Sequence, residues 1–128
     1  MDGLSPKVHA TKFKYEFAEH GGAIGAVTIQ DKTIPDNALI LAGLIDDPTT
    51  DLAGTGTTVS LGIVSAGDLH AADAIADING GPIWCDQLTW GETAPVKTTS
   101  QEGLIVTIAV GAATAGVFEV TVFWVHGS

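Results

Sequence analysis

Two runs near the C-terminal end, Leu104–Val110 and Val117–Val125, alternate in character with a period of two residues. In the second run Phe118, Val120, Val122 and Trp124 point one way, while Val117, Glu119, Thr121, Phe123 and Val125 point the other. That alternation is the signature of a β-strand, because successive side chains of a strand leave opposite faces. With Gly111-Ala112-Ala113-Thr114-Ala115-Gly116 between them, the two runs read as a β-hairpin. The 22 residues from Leu104 to Val125 could also cross a bilayer as a helix. Such a helix would carry Glu119 into hydrocarbon at a cost of about 2.5–3.5 kcal/mol if central, and would be filled with β-branched residues and two glycines. Strands are the better reading, and no membrane partner is expected.

The same period recurs upstream. Phe13, Tyr15 and Phe17 alternate with Lys12, Lys14 and Glu16, which predicts a first strand over Lys12–Ala18 with an aromatic core face. Glu19-His20-Gly21-Gly22 reads as a turn, and Ala23–Gln30 as the returning strand with Val27 and Ile29 inward. Asp31-Lys32 and Pro35-Asp36-Asn37 read as further turns. Leu39–Asp46 is almost continuously apolar, which fits a central strand covered on both faces or one face turned to another subunit. Residues 49–56 read as a loop, and Thr57–Val64 as a strand with Val59, Leu61 and Ile63 inward. Between Asp68 and Ile78 the spacing of Leu69, Ala72, Ile75 and Ala76 becomes helical, with Asp68 as N-cap and Gly80-Gly81-Pro82 as the stop. Residues 83–103 are irregular, apart from a short strand near Ala94–Thr99.

Short strands separated by turns, with one short helix, predict an all-β fold: an antiparallel β-sandwich of seven or eight strands, either jelly-roll or immunoglobulin-like. Residues 1–11 lack periodicity and read as an extended N-terminal arm, and residues 12–128 as one sandwich domain. At 128 residues one core suffices.

Composition adds the surface. Only 16% of residues are charged, against about 25% in ordinary soluble domains. A surface so poor in charge implies that part of it is covered by a partner. Fifteen acidic residues oppose five basic ones, all lysine, for a net charge of −10. Without an arginine fork and with that charge, the chain would repel a polyanion, so nucleic acid is not expected as a partner. Lys7, Lys12, Lys14 and Lys32 lie in the first quarter, a basic edge that could dock an acidic surface or simply keep an edge strand from aggregating. The N-terminus lacks the basic and apolar regions of a signal peptide, so retention in a cytoplasm is the default expectation.

Candidate chemistry is sparse. Cys85 is the only cysteine, which precludes an intrachain disulfide and reads as a small buried hydrophobe. His9, His20, His70 and His126 have no metal-ligand spacing, and neither serine nor glycine patterns match a nucleophile elbow or phosphate loop. No catalytic residue, metal or cofactor is expected, and the chain does not read as an enzyme. Asp46, Asp47 and Asp51 cluster about Pro48, where turn chemistry competes with a calcium loop. Asp73 and Asp77 read as a solvated helix face. Trp84 and Trp90 read either as core or as anchors for a carbohydrate, peptide or protein partner.

Phe13-Lys14-Tyr15-Glu16-Phe17-Ala18, leading through Gly21-Gly22-Ala23-Ile24-Gly25 to Ile29, and the closing Val106–Trp124 stretch resemble small virion proteins of tailed bacteriophages. The resemblance is to β-sandwich proteins encoded beside the major capsid protein and assigned as head decoration or cement proteins. It implies a non-enzymatic virion component that binds the major capsid protein or copies of itself, as a homo-oligomer on the particle. Lys7, Lys12, Lys14, Trp84 and Trp90 are the partner-contacting candidates. The alternatives are a tail or fibre component, and a carbohydrate- or calcium-dependent binding module.

Overall fold

The computed structural model describes residues 7–88 and 95–127, which form two packed antiparallel sheets. The first sheet orders β1 (His9–Glu16), β10 (Ala113–His126), β3 (Ala38–Ile45) and β7 (Ile83–Trp84). Two short strands complete it: β4 (Thr50–Gly54) pairs with β10, and β8 (Val96–Lys97) pairs with β3. The second sheet orders β2 (Gly25–Ile34), β9 (Glu102–Ala109), β5 (Thr58–Gly62) and β6 (His70–Ala74). The first long strand thus lies beside the last in one sheet, and the second beside the next-to-last in the other. Apart from the additions β4 and β8, this is the winding of a jelly roll, so the immunoglobulin-like alternative is dropped.

The aromatic alternation of the first strand is realised. Phe13 and Tyr15 are buried while Lys12 and Lys14 are exposed. Phe118, Val120, Val122 and Trp124 of the adjacent β10 line the same core face beside them, and Ile29, Val59, Leu61, Ile63, Leu104 and Val106 close the core from the other sheet. Each such aromatic or aliphatic side chain contributes about 1.5–3 kcal/mol when fully buried.

Several expectations are corrected. The C-terminal runs are both strands, but not a hairpin: β9 pairs with β2 and β5, whereas β10 pairs with β1, β3 and β4 in the opposite sheet. The chain arches across the core at Val110-Gly111, and a β-carbon on Gly111 would lie 1.9 Å from the Thr55 carbonyl oxygen. Period-two alternation identifies a strand but not its partner, and here the partner is decided by which sheet each apolar face can complete.

The helix expected over 68–78 forms only in its second half. β6 occupies His70–Ala74, and α2 covers only Ile75–Asn79. Asp68 caps no helix; its carboxylate accepts the backbone N–H groups of Ile63, Val64 and Ser65 at 2.7, 3.1 and 2.9 Å and closes the β5–β6 turn. A second short helix, α1 (Phe17–His20), ends the first strand, with Phe17 packed against the core from there. Among the described residues there are therefore two short helices rather than one, and ten strands rather than seven or eight. The stretch read as a loop over 49–56 contains β4, and Asp31-Lys32 lies within β2 instead of at a turn.

β1 also begins earlier than expected, at His9. Its register pairs His9 with Trp124 and Thr11 with Val122, the His9 ring stacks on Trp124 at 4.5 Å, and the Trp124 indole N–H donates to Thr11 Oγ1 at 2.9 Å. These contacts attach the end of the presumed arm to the sheet.

Candidate partner-binding surface

The outer face of the six-stranded sheet brings together three of the five candidate residues, Lys12, Lys14 and Trp84. One row of the register runs Lys12, Thr121, Leu44, Trp84 across β1, β10, β3 and β7. At about 4.8 Å per strand, Lys12 and Trp84 share one face at a backbone separation of about 14 Å. The next rows are Ala10, Phe123, Ala42, and then Val125, Leu39, Lys97. A register shift between Phe123 and Trp124 leaves Leu41 unpaired, and Leu41, Ala42, Phe123 and Trp84 line a shallow, wholly apolar groove. Trp84 is 64% exposed, with its ring centroid 6.4 Å from that of Phe123.

So much exposed indole on a short, turn-flanked strand is not core packing. Of the two readings of Trp84, burial in the core does not hold. Trp90 lies outside the described residues. The sequence signal for the rest of the patch is the unbroken apolar run of β3: the strand buries Ala38, Ile40 and Ile45 and leaves Leu39, Leu41 and Leu44 half-exposed on the other side.

β1 is an edge strand, since its described pairing is to β10 alone. Lys14 donates to Glu16 at 3.0 Å, and that contact, reinforced by Glu119 and Glu19, raises its ammonium above the ordinary lysine range. Lys12 and Lys97 have no carboxylate within ion-pair reach among the described residues. Lys7 is exposed just ahead of the strand. Lys12, Lys14 and Lys97 thus flank the apolar strip on its two sides, while Lys32 sits on the other sheet.

Other polar groups serve the scaffold. His70 is buried, with Nε2 3.2 Å from Asp73 and Nδ1 accepting the Asp86 N–H at 3.2 Å. Burial acts to raise the Asp86 carboxyl, but N–H donation from Ala71, the Gln87 amide and His70 outweigh it and hold the group below the usual range. Burial, with the charge of Asp86 behind it, pushes the Cys85 thiol up to about 12, so it is no nucleophile. Asp46 accepts the Asp47 N–H at 2.8 Å in the turn before β4, which is the turn chemistry foreseen there. No group of three or more His, Cys, Asp or Glu side chains converges as a metal site among the described residues. No helix among them is long and apolar enough to cross a membrane.

The fold and this face define a small jelly roll with one apolar, lysine-flanked outer sheet. No protein-family model and no curated protein matches the chain. Among solved structures it is similar to a chain of the Cyanophage Pam1 capsid asymmetric unit, at 18% identity, covering 98% of this chain and 89% of that one with a TM-score of 0.66. It is similar to a chain in the acidic stable capsid structure of Helicobacter pylori bacteriophage KHP30 at 11% identity, covering 94% and 89%, with a TM-score of 0.61. A chain in the capsid of Ralstonia phage GP4 aligns at 20% identity over 100% and 90%, with a TM-score of 0.60. At these identities the likeness is one of fold, and it embraces nearly the whole of each chain.

Proposed function

We propose that this protein is a non-enzymatic structural component of a bacteriophage virion, a decoration or cement protein that binds the assembled head and stabilises it. The observation that carries this reading is the end-to-end sharing of the fold with chains from three phage capsid structures. Those chains are about as short as this one, a size that suits an accessory of a shell. The low charge and the apolar outer sheet support it further, because a surface of this kind is covered in its working state.

Its partners on the particle are the major capsid protein, copies of itself, or both, and its net charge of −10 disfavours nucleic acid. Stabilisation follows from mass action, since a ligand that binds the assembled shell but not its separated subunits raises the shell's apparent stability. The test is the disruption temperature of heads with and without the protein. A rise on addition is expected; equal temperatures at saturating protein would remove the cement role. Labelled protein found on tails instead would move it to the tail or fibre. The carbohydrate reading has less support, because among the described residues the groove is lined by Leu41, Ala42, Phe123 and Trp84, with the Trp84 indole N–H as its one side-chain hydrogen-bonding group.

A further inference from the structure

We infer that the protein seats on its shell through the outer face of the six-stranded sheet, with Trp84 as the anchor, on an apolar partner surface carrying carboxylates at both margins. This inference rests on the cement reading above and specifies its contact.

The argument begins with where charge is placed. Leu39, Leu41, Leu44, Phe123, Val125 and Trp84 form one strip across β10, β3 and β7. On the β1 side the strip is flanked by Lys12 and Lys14, and on the β8 side by Lys97. Three of the chain's five lysines therefore frame this one face. Against them stand Glu16 and Glu119 on the face, Glu19 within electrostatic reach of Lys14, and Asp51 on β4 of the same sheet, so the charges described here nearly cancel on a molecule whose net charge is −10. The remainder of the surface holds the acidic excess and is repelled by an acidic partner, which leaves this sheet as the side that can approach one. Apolar area drives the association, and the flanking lysines fix orientation against carboxylates opposite.

A second copy is the poorer occupant. On the same face it sets three lysines against three lysines, with Glu16 and Glu119 confined to the β1 side to answer them, so face-to-face pairing leaves lysines without carboxylates opposite.

The experiment measures binding of full-length protein to heads stripped of it, with circular dichroism melting alongside. Trp84→Ala is expected to weaken binding about tenfold or more while leaving the melting temperature near that of the parent, because the side chain is mostly exposed. Lys12→Glu combined with Lys97→Glu is expected to weaken binding and to remove much of its salt sensitivity. Lys32→Glu, on the opposite sheet, is expected to bind as the parent does. If the parent binds and all three variants match it, the face is wrong and the cement reading stands. Should the parent fail to bind heads at all, both fall together. A dimer in sedimentation that Trp84→Ala abolishes, without loss of head binding, would overturn the inference in favour of self-association.

Discussion

The side-chain amide of Asn79 pairs with both backbone groups of Leu52: Oδ1 accepts the Leu52 N–H at 2.8 Å, and Nδ2 donates to the Leu52 carbonyl at 2.9 Å. The amide thereby imitates one residue of a neighbouring strand along the edge of β4, and it joins the end of α2 to that strand across 27 residues of sequence. Asn79→Ala is expected to cost about 1–3 kcal/mol, the range for leaving part-buried backbone groups without partners. Asn79→Asp keeps the acceptor but loses the donor and sets a carboxylate oxygen against the Leu52 carbonyl, so it should be no milder at neutral pH. Chemical denaturation of the two variants and the parent measures this; parent-like midpoints for both would show that the pairing contributes nothing.

The arch between the sheets stores strain at a residue that no pattern exposes. Val110 sits at φ 69° and is 76% exposed. A β-branched side chain in left-handed backbone is crowded against its own carbonyl, at a cost of about 1–2 kcal/mol. Val110→Asn, whose side chain tolerates that region, is expected to raise stability by about 0.5–1 kcal/mol. A lower melting temperature in Val110→Asn would contradict the geometry.

Val110 also marks the limit of what can be read from the chain. Among the described residues the other non-glycine residue at positive φ, Asn37 at 62°, stands in Pro35-Asp36-Asn37, where turn chemistry is explicit, and the turn is where it is expected. Phe13, Tyr15 and the inward set of β10 are equally legible, because each must alternate to bury one face. At Val110 the apolar run continues through the corner, so nothing local says that the chain leaves one sheet for the other. The region after Asp68 fails for a related reason. Alanine favours helix on its own, but pairing of His70–Ala74 with β5 overrides that local preference, and the Asp68 carboxylate is taken by the turn at Ile63–Ser65. The apolar outer face is half legible: continuous apolarity in β3 announces a second apolar face, but only the register reveals that Lys12, Leu44 and Trp84 share it.

Asp77 predicts a pH dependence. A hydrogen bond with Asp73, with the charge of Asp73 behind it, raises the Asp77 carboxyl above its ordinary value of 3.8. A group whose folded-state pKa is raised contributes stability that is fully present below the unfolded value and is lost as pH rises through the folded one. The folded protein should therefore lose this contribution as pH climbs from below 3.8 through the raised value. Asp77→Asn keeps a donor toward Asp73 without the second charge, so it should be more stable than the parent at pH 7, with the difference vanishing at low pH. Melting curves across that range decide it, and a difference independent of pH would refute the shared-proton account.

Gly43 and Cys85 are a packing pair whose coupling can be measured. The Cys85 N–H donates to the Gly43 carbonyl at 2.8 Å, and a β-carbon on Gly43 would lie 2.7 Å from Cys85 Sγ and 3.0 Å from a Leu69 methyl. Gly43→Ala alone must displace the sulfur or open β3 from β7, at about 1–3 kcal/mol for overpacking. Removing the sulfur in Cys85→Ala gives the new methyl somewhere to go, so the double variant should be less destabilised than the two single losses added together. Leu69 still crowds the site, which keeps the rescue partial. The same enclosure predicts the chemistry of the thiol: burial and Asp86 push it to about 12, so native protein at pH 8 should resist a thiol reagent that reacts fully in denaturant. Rapid labelling of the native state, or strict additivity in the cycle, would show that Cys85 is not held against Gly43 as described.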